Sequence, residues 1–284
     1  MSINRLGGWK TFLVNFQLLE EVPSQHKGAW CTAWKESLVM YKNAKTTFEA
    51  NTALMWMSFW PQGLLRKPIR GGRHGRSEIA SRFHAVIDGN WEFLIDKWER
   101  DSKKRSDFIN IKNARMVADK DIDYEKSLTS QRKKVIALIQ AGLLSKAMNR
   151  VTSHGLGNLS DPSTILQLSK KFPQRSRPLP EAVSIVKPID GFKGLRETLL
   201  SLNSGTAPGA GGLRHEFLHA LGERMEDEEI KLLEDFGMLY CSGELPAWFY
   251  LVWQSVQTVA PYKDARCESV RPLGLKNNLV KLLN

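Results

Sequence analysis

The sequence predicts a mainly α-helical chain with one small β-hairpin near its C-terminus, an α+β arrangement. Three observations carry this. Apolar residues recur at helical spacing through most of the first two-thirds. The abundant large aromatics, nine Trp and twelve Phe, suit helix-on-helix packing. Only the stretch beyond Trp253 contains residues suited to short paired strands. At 284 residues, 42% hydrophobic and 25% charged, the chain can bury a sizeable core as one large domain or two ordinary ones.

The elements follow in order. Trp30, Trp34, Leu38 and Tyr41 share one face of a helix expected from Lys27 to Phe59. Trp56, Phe59 and Trp60 continue the apolar face until Pro61 interrupts it. A basic, glycine-rich connector comes next, from Arg66 and Lys67 through Arg70, Gly71, Gly72, Arg73 and Gly75 to Arg76. Ser77 is the expected N-cap of the following helix, whose face is Ile79, Phe83 and Val86. After Asp88-Gly89, the residues Trp91, Leu94, Ile95 and Trp98 mark another helix, and Glu99 to Asp107 reads as its solvated end. A helix is expected from Tyr124 to Ala141, a turn at Gly142, and a helix from Leu144 to Val151. Asp161-Pro162 opens a short helix, and Lys171 to Pro188, rich in proline and basic residues, reads as a linker. The expected organisation is therefore a basic helical leader over 1–170, a proline-rich linker over 171–190 and a final region over 191–284.

In that region Phe192 to Leu202 is amphipathic, Gly205 to Gly212 is a loop, and Leu213 to Leu221 and Glu226 to Tyr240 are helical. Trp253 to Tyr262 and Ser269 to Leu275 are expected to pair as a hairpin across Lys263 to Glu268.

Charge narrows the function. A formal net charge of +11 favours polyanions through counterion release, so RNA or DNA is the expected partner. Cys31, Cys241 and Cys267 form no CxxC pair, which excludes a zinc knuckle and points to a reducing, intracellular setting. The N-terminal residues are too weakly apolar for a signal peptide. The most apolar run, Ala53 to Leu65, is too short to span a bilayer, so no membrane partner is expected.

Four patterns are candidates for chemistry. His215-Glu216-Phe217-Leu218-His219 places two His four apart on a helix with a Glu between them, the spacing of a zinc peptidase. Its third ligand would fall at Met225, a poor zinc donor, or come from a second helix as Glu234 or Glu244; the alternative is a helix that buries Phe217, Leu218 and Leu221 with both His at its edge. Gly205 to Gly212 invites comparison with a phosphate-binding loop, yet Leu213 and Arg214 stand where Lys-Ser/Thr would follow. Lys263 and Arg271, on the hairpin, are candidate triphosphate contacts, a point charge beside a planar fork. Arg66, Lys67, Arg70, Arg73 and Arg76 are candidate nucleic-acid contacts, with Trp60 and Phe83 flanking them for stacking on a base.

The order of these pieces resembles one family. Ser204 to Leu213, reading SGTAPGAGGL with Ala207, Pro208, Gly209 and Gly212, is similar to the glycine motif near the start of non-LTR retrotransposon reverse transcriptases. Leu245-Pro246-Ala247-Trp248-Phe249, then Tyr262-Lys263, then Val270-Arg271-Pro272-Leu273-Gly274 follow in the family's order. Phe59 to Arg66, Arg70 to Arg73 and Gly142 to Ala147 resemble, more loosely, its pre-polymerase region. Gly211 departs from the acidic or small polar residue usual there. The resemblance implies a helical leader and an incomplete set of polymerase fingers. It also implies Mg²⁺ as cofactor of the full-length enzyme, held by palm aspartates of F-x-x-D and Y-x-D-D type. No Y-x-D-D occurs in the sequence. The expectation is a fragment stopping before the palm, without a cofactor or catalytic residues of its own, that binds nucleic acid and does not synthesise DNA. The alternatives are a basic helical nucleic-acid-binding module without polymerase ancestry and, behind it, a zinc metallopeptidase using His215-Glu216-Phe217-Leu218-His219.

Overall fold

Where one helix is expected from Lys27 to Phe59, the computed structural model has two, α1 (Lys27–Lys42) and α2 (Thr47–Leu64). A capping box makes the break. Thr46 Oγ1 accepts from the Glu49 amide, and Glu49 Oε2 accepts from the Thr46 amide, both at 3.2 Å. Together these satisfy two orphan donors at the start of α2. Pro61 lies inside the last turn of α2 rather than ending it. Its missing N–H removes one bond there, while its carbonyl still accepts from Leu65 N at 3.1 Å.

The structure describes residues 11, 13, 16–68, 71–116, 120–140, 142–153, 157–159, 161–171, 194–255, 257–263, 268–270, 273–275 and 278–279. Among these, the further helices are α3 (Gly72–Ile87), α4 (Trp91–Met116), α5 (Lys120–Gln140), α6 (Leu144–Val151) and α7 (Pro162–Lys171). They are followed by α8 (Leu195–Leu200), α9 (His215–Arg224), α10 (Asp227–Cys241) and α11 (Ala247–Trp253). The chain is mainly helical. Strands β1 (Gln257–Val259) and β2 (Leu273–Leu275) pair, and an antiparallel bridge joins Tyr262 to Val270, so the expected hairpin forms, although Trp253, expected as the start of its first strand, ends α11. The stretch expected as a linker falls, beyond Lys171, outside the described residues.

Two compact units emerge, and they do not follow chain order. One comprises Met1–Trp98, Leu179–Gln257 and Leu275–Asn284; the other comprises Glu99–Pro178 and Thr258–Gly274. In the first, α9 and α10 return to pack with α1, α8 packs on α9, and Trp253 of α11 bonds Ser58 of α2. Helix α2 is its centre, with Leu54, Trp56, Met57, Phe59 and Trp60 almost wholly enclosed. A helix apolar on nearly all sides has to be surrounded. Indole N–H groups fix the packing: Trp30 donates to Phe217 O at 3.0 Å, Trp60 to Ser37 Oγ at 2.9 Å, and Trp253 to Ser58 Oγ at 3.0 Å. Such bonds give an aromatic core one register, because a buried donor left unmatched is costly.

The second unit is leaner. Gly142, at φ 72°, ends α5. Leu143 N bonds Leu138 O and Gly142 N bonds Ile139 O, each at 2.9 Å. That is the Schellman arrangement, which turns the chain straight into α6. Helix α7 lies against the hairpin in the same unit.

Candidate nucleic-acid and phosphate interface

The basic connector is only partly a loop. Helix α3 begins at Gly72, five residues before the expected cap at Ser77, so Arg73 and Arg76 are helical. Both are exposed. Gly71, the N-cap, supplies no side-chain acceptor. The start of α3 therefore combines main-chain amides without a side-chain cap, the positive end of the helix dipole and two exposed guanidinium groups, which suits phosphate. Lys67 is exposed and lies 3.7 Å from Glu20. Arg70 lies outside the described residues.

Arg66 is a correction. It is 1% exposed and donates to Gln62 O at 3.1 Å and to Gly63 O. The last carbonyls of α2 have no helical partner, and this guanidinium satisfies them. Its own carbonyl accepts from Arg82 Nη1 at 2.6 Å, and Arg82, also buried, ion-pairs with Glu78. Arg66 is a structural cap and cannot reach a phosphate.

The glycine motif forms the expected loop. Gly205 and Gly212 adopt φ of 72° and 77°, left-handed values that glycine takes without a Cβ penalty. Gly209 and Gly212 are buried, Pro208 is half-buried and Ala207 is exposed. Gly212 N bonds Gly209 O at 2.9 Å. At its far end, Asn278 Nδ2 donates to Leu213 O at 3.0 Å. A cleft beneath, lined by Trp34, Ser58, Gly211 and Trp253, holds about 10 Å³. That is room for one water and far too little for a nucleotide.

The His-Glu-x-x-His residues anchor this loop. His215 Nδ1 is 2.9 Å from Asn203 O, and Glu216 accepts from the Gly205 amide. His219 Nδ1 lies 3.3 Å from Glu223, which also pairs with Lys27. Met225, at the third-ligand position, is 2% exposed. Among the described residues no three His, Cys, Asp or Glu side chains converge as a metal would require. Gly222 has a packing reason: a Cβ there would come within 2.9 Å of Leu199 Cβ, so α8 and α9 touch at a glycine.

In the other unit the hairpin presents Lys263, exposed, with its amide bonded to Ser269 O at 2.8 Å. Arg271 lies outside the described residues. Helix α7 supplies a contact that sequence reading missed. Gln167 donates to Glu268 O at 3.0 Å and accepts from Val270 N at 3.1 Å. One turn on, Lys171 Nζ donates to Val270 O. Partial desolvation and then the neighbouring Lys263 charge hold the Lys171 ammonium below its ordinary pKa. Its sequence signal was weak: Lys170-Lys171 reads as a basic helix end.

No family model, no curated protein and no solved structure matches this chain.

Proposed function

We propose that this chain is a nucleic-acid-binding protein of the non-LTR retrotransposon reverse-transcriptase kind, contributing pre-polymerase helices and part of the fingers. The single observation that carries the reading is the order of its motifs: the APG loop at 207–209, the Leu245-Pro246 helix start, Lys263, and the Arg271-Pro272-Leu273-Gly274 block. Supporting it are the net charge of +11, two arginines exposed at the start of α3 and a lysine exposed on a hairpin. The role is single-stranded nucleic-acid binding, dominated by phosphate contacts and steeply weakened by salt.

The sequence holds no Y-x-D-D, so this chain alone does not join nucleotides; the Mg²⁺ that supports synthesis in the family would sit on palm aspartates that the sequence does not include. The test has two arms. Fluorescence anisotropy with a single-stranded RNA is expected to give an affinity that falls linearly on a log–log plot against salt. A primed RNA template with Mg²⁺ or Mn²⁺ is expected to show no extension. Salt-independent binding would remove the nucleic-acid reading, and extension by the pure protein would place a complete catalytic centre in this chain.

A further inference from the structure

Helix α7 and the hairpin bring two ammonium groups to one place. Lys171 Nζ is bonded to the carbonyl of Val270. Val270 is bridged across the hairpin to Tyr262, and the next residue is Lys263, whose amide bonds Ser269 O at 2.8 Å. Gln167, one turn before Lys171, fixes the same strand from both sides through Glu268 O and Val270 N. Three hydrogen bonds thus hold the end of α7 in register with the hairpin. Among the described residues neither lysine has a carboxylate within ion-pair distance, although ion pairs satisfy Lys27, Lys35 and Lys231 elsewhere.

Two like charges held together, with no carboxylate paired to either among the described residues, raise the free energy of the empty protein, and an anion between them relieves it. The ligand chemistry is set by the donors. Two ammonium groups on flexible stems are point charges with several donors each, which match phosphate oxygens and impose no planar geometry.

We infer that Lys171 and Lys263 form one phosphate-binding pair, in which helix α7 completes the anion site of the hairpin. The pair takes a polyphosphate chain or successive nucleic-acid phosphates. It rests on the proposed function for its biological ligand, and on the geometry alone for its existence.

The test is a titration with inorganic tripolyphosphate, without metal, on the full chain and on Lys171→Gln, Lys263→Gln and the double variant. Lys134→Gln, an exposed lysine on α5, is the control for net charge. Each single variant is expected to weaken binding about fivefold, the effect of one charge-assisted hydrogen bond. The double variant is expected to lose more than either, the control to change nothing, and Lys171→Arg to restore most of the affinity. Lys263 does not hold the α7 contact through its side chain, so its variant remains informative if Lys171→Gln loosens the unit.

A Lys171→Gln affinity equal to wild type, or a loss matched by Lys134→Gln, would overturn the pair. Repeating the titration with dATP and with single-stranded RNA separates the two phosphate sources. Loss confined to dATP assigns the pair to a triphosphate, and a shallower RNA salt slope assigns it to the backbone. If wild type binds RNA while tripolyphosphate ignores both lysines, only this inference fails. If wild type binds no RNA yet tripolyphosphate responds to both, the pair stands and the proposed function falls.

Discussion

The two units of this chain spend their apolar residues in opposite ways. In the unit built on α1, α2 and α8 to α11, Trp30, Trp34, Trp60, Phe59, Phe217 and Phe249 are wholly buried. In the unit of α5 to α7 and the hairpin, the buried apolar residues among those described are Ala147, Ala260 and Val270. There Leu144, Met148 and Val151 stand 62%, 61% and 63% exposed along one face of α6. The first unit is held by area and by satisfied indoles. The second is held by local hydrogen bonds, such as the Schellman turn at Gly142 and the Gln167 clamp on the hairpin. Buried aromatic packing concentrates in the first unit, whereas both present exposed cations, Arg73 and Arg76 on α3 in the first and Lys171 and Lys263 in the second.

The sharpest way to break this comparison is a matched pair of truncations. Trp60→Ala should cost about 4 kcal/mol, the range for removing a large aromatic from a packed core. Met148→Ala should change stability by no more than about 0.5 kcal/mol, as for an exposed site. Urea unfolding of both variants measures this, and equal effects would erase the contrast.

Arg82→Met comes next. It removes the donor to Arg66 O and leaves Glu78, itself partly exposed and 3.6 Å from Lys97, with less compensation. A loss of about 2 kcal/mol is expected in the same assay. A neutral result would mean that the carbonyls at the end of α2 find water instead.

A pH series sharpens the first unit further. His26 stacks on Phe83 at 4.6 Å, and burial, then His84, holds its pKa below 6.5. The fold therefore prefers the neutral ring. This contribution is complete above pH 6.5 and is lost as pH falls through that value toward the depressed one. Stability should decline between neutral and mildly acidic pH, and His26→Phe should flatten that decline. An equal decline in the variant would exclude His26 as its source.

The smallest effect compares two indoles. Trp253 donates to Ser58 Oγ, whereas Trp34 Nε1, equally buried, has no partner among the described residues. Trp253→Phe should cost about 1 kcal/mol more than Trp34→Phe, the value of one buried hydrogen bond.

Helix positions were legible because apolar spacing is local: α6, α7 and α10 lie close to where periodicity puts them, and the hairpin forms between the expected strands. The break between α1 and α2 was also present in the sequence, as the Thr46…Glu49 capping box, but the continuous aromatic face masked it. The early start of α3 was not legible. Gly71, Gly72 and Gly75 look like linker, yet the helix starts directly after Gly71 and buries Gly75. Arg66 illustrates the same limit at the site. A basic residue in a basic run looks like a phosphate contact, and nothing local tells that its guanidinium will cap a helix. The interleaving of the units and the arrival of Lys171 beside Lys263, some ninety residues later in the chain, depend on long-range pairing that no window of sequence contains.

The most direct measurement of the central claim is the salt dependence of single-stranded RNA affinity, for wild type and for a variant carrying Arg70→Gln, Arg73→Gln and Arg76→Gln. Wild type is expected to show a linear log–log loss, and the variant a slope shallower by about 2, at roughly 0.7 per phosphate contact removed. A variant slope equal to that of wild type would contradict it.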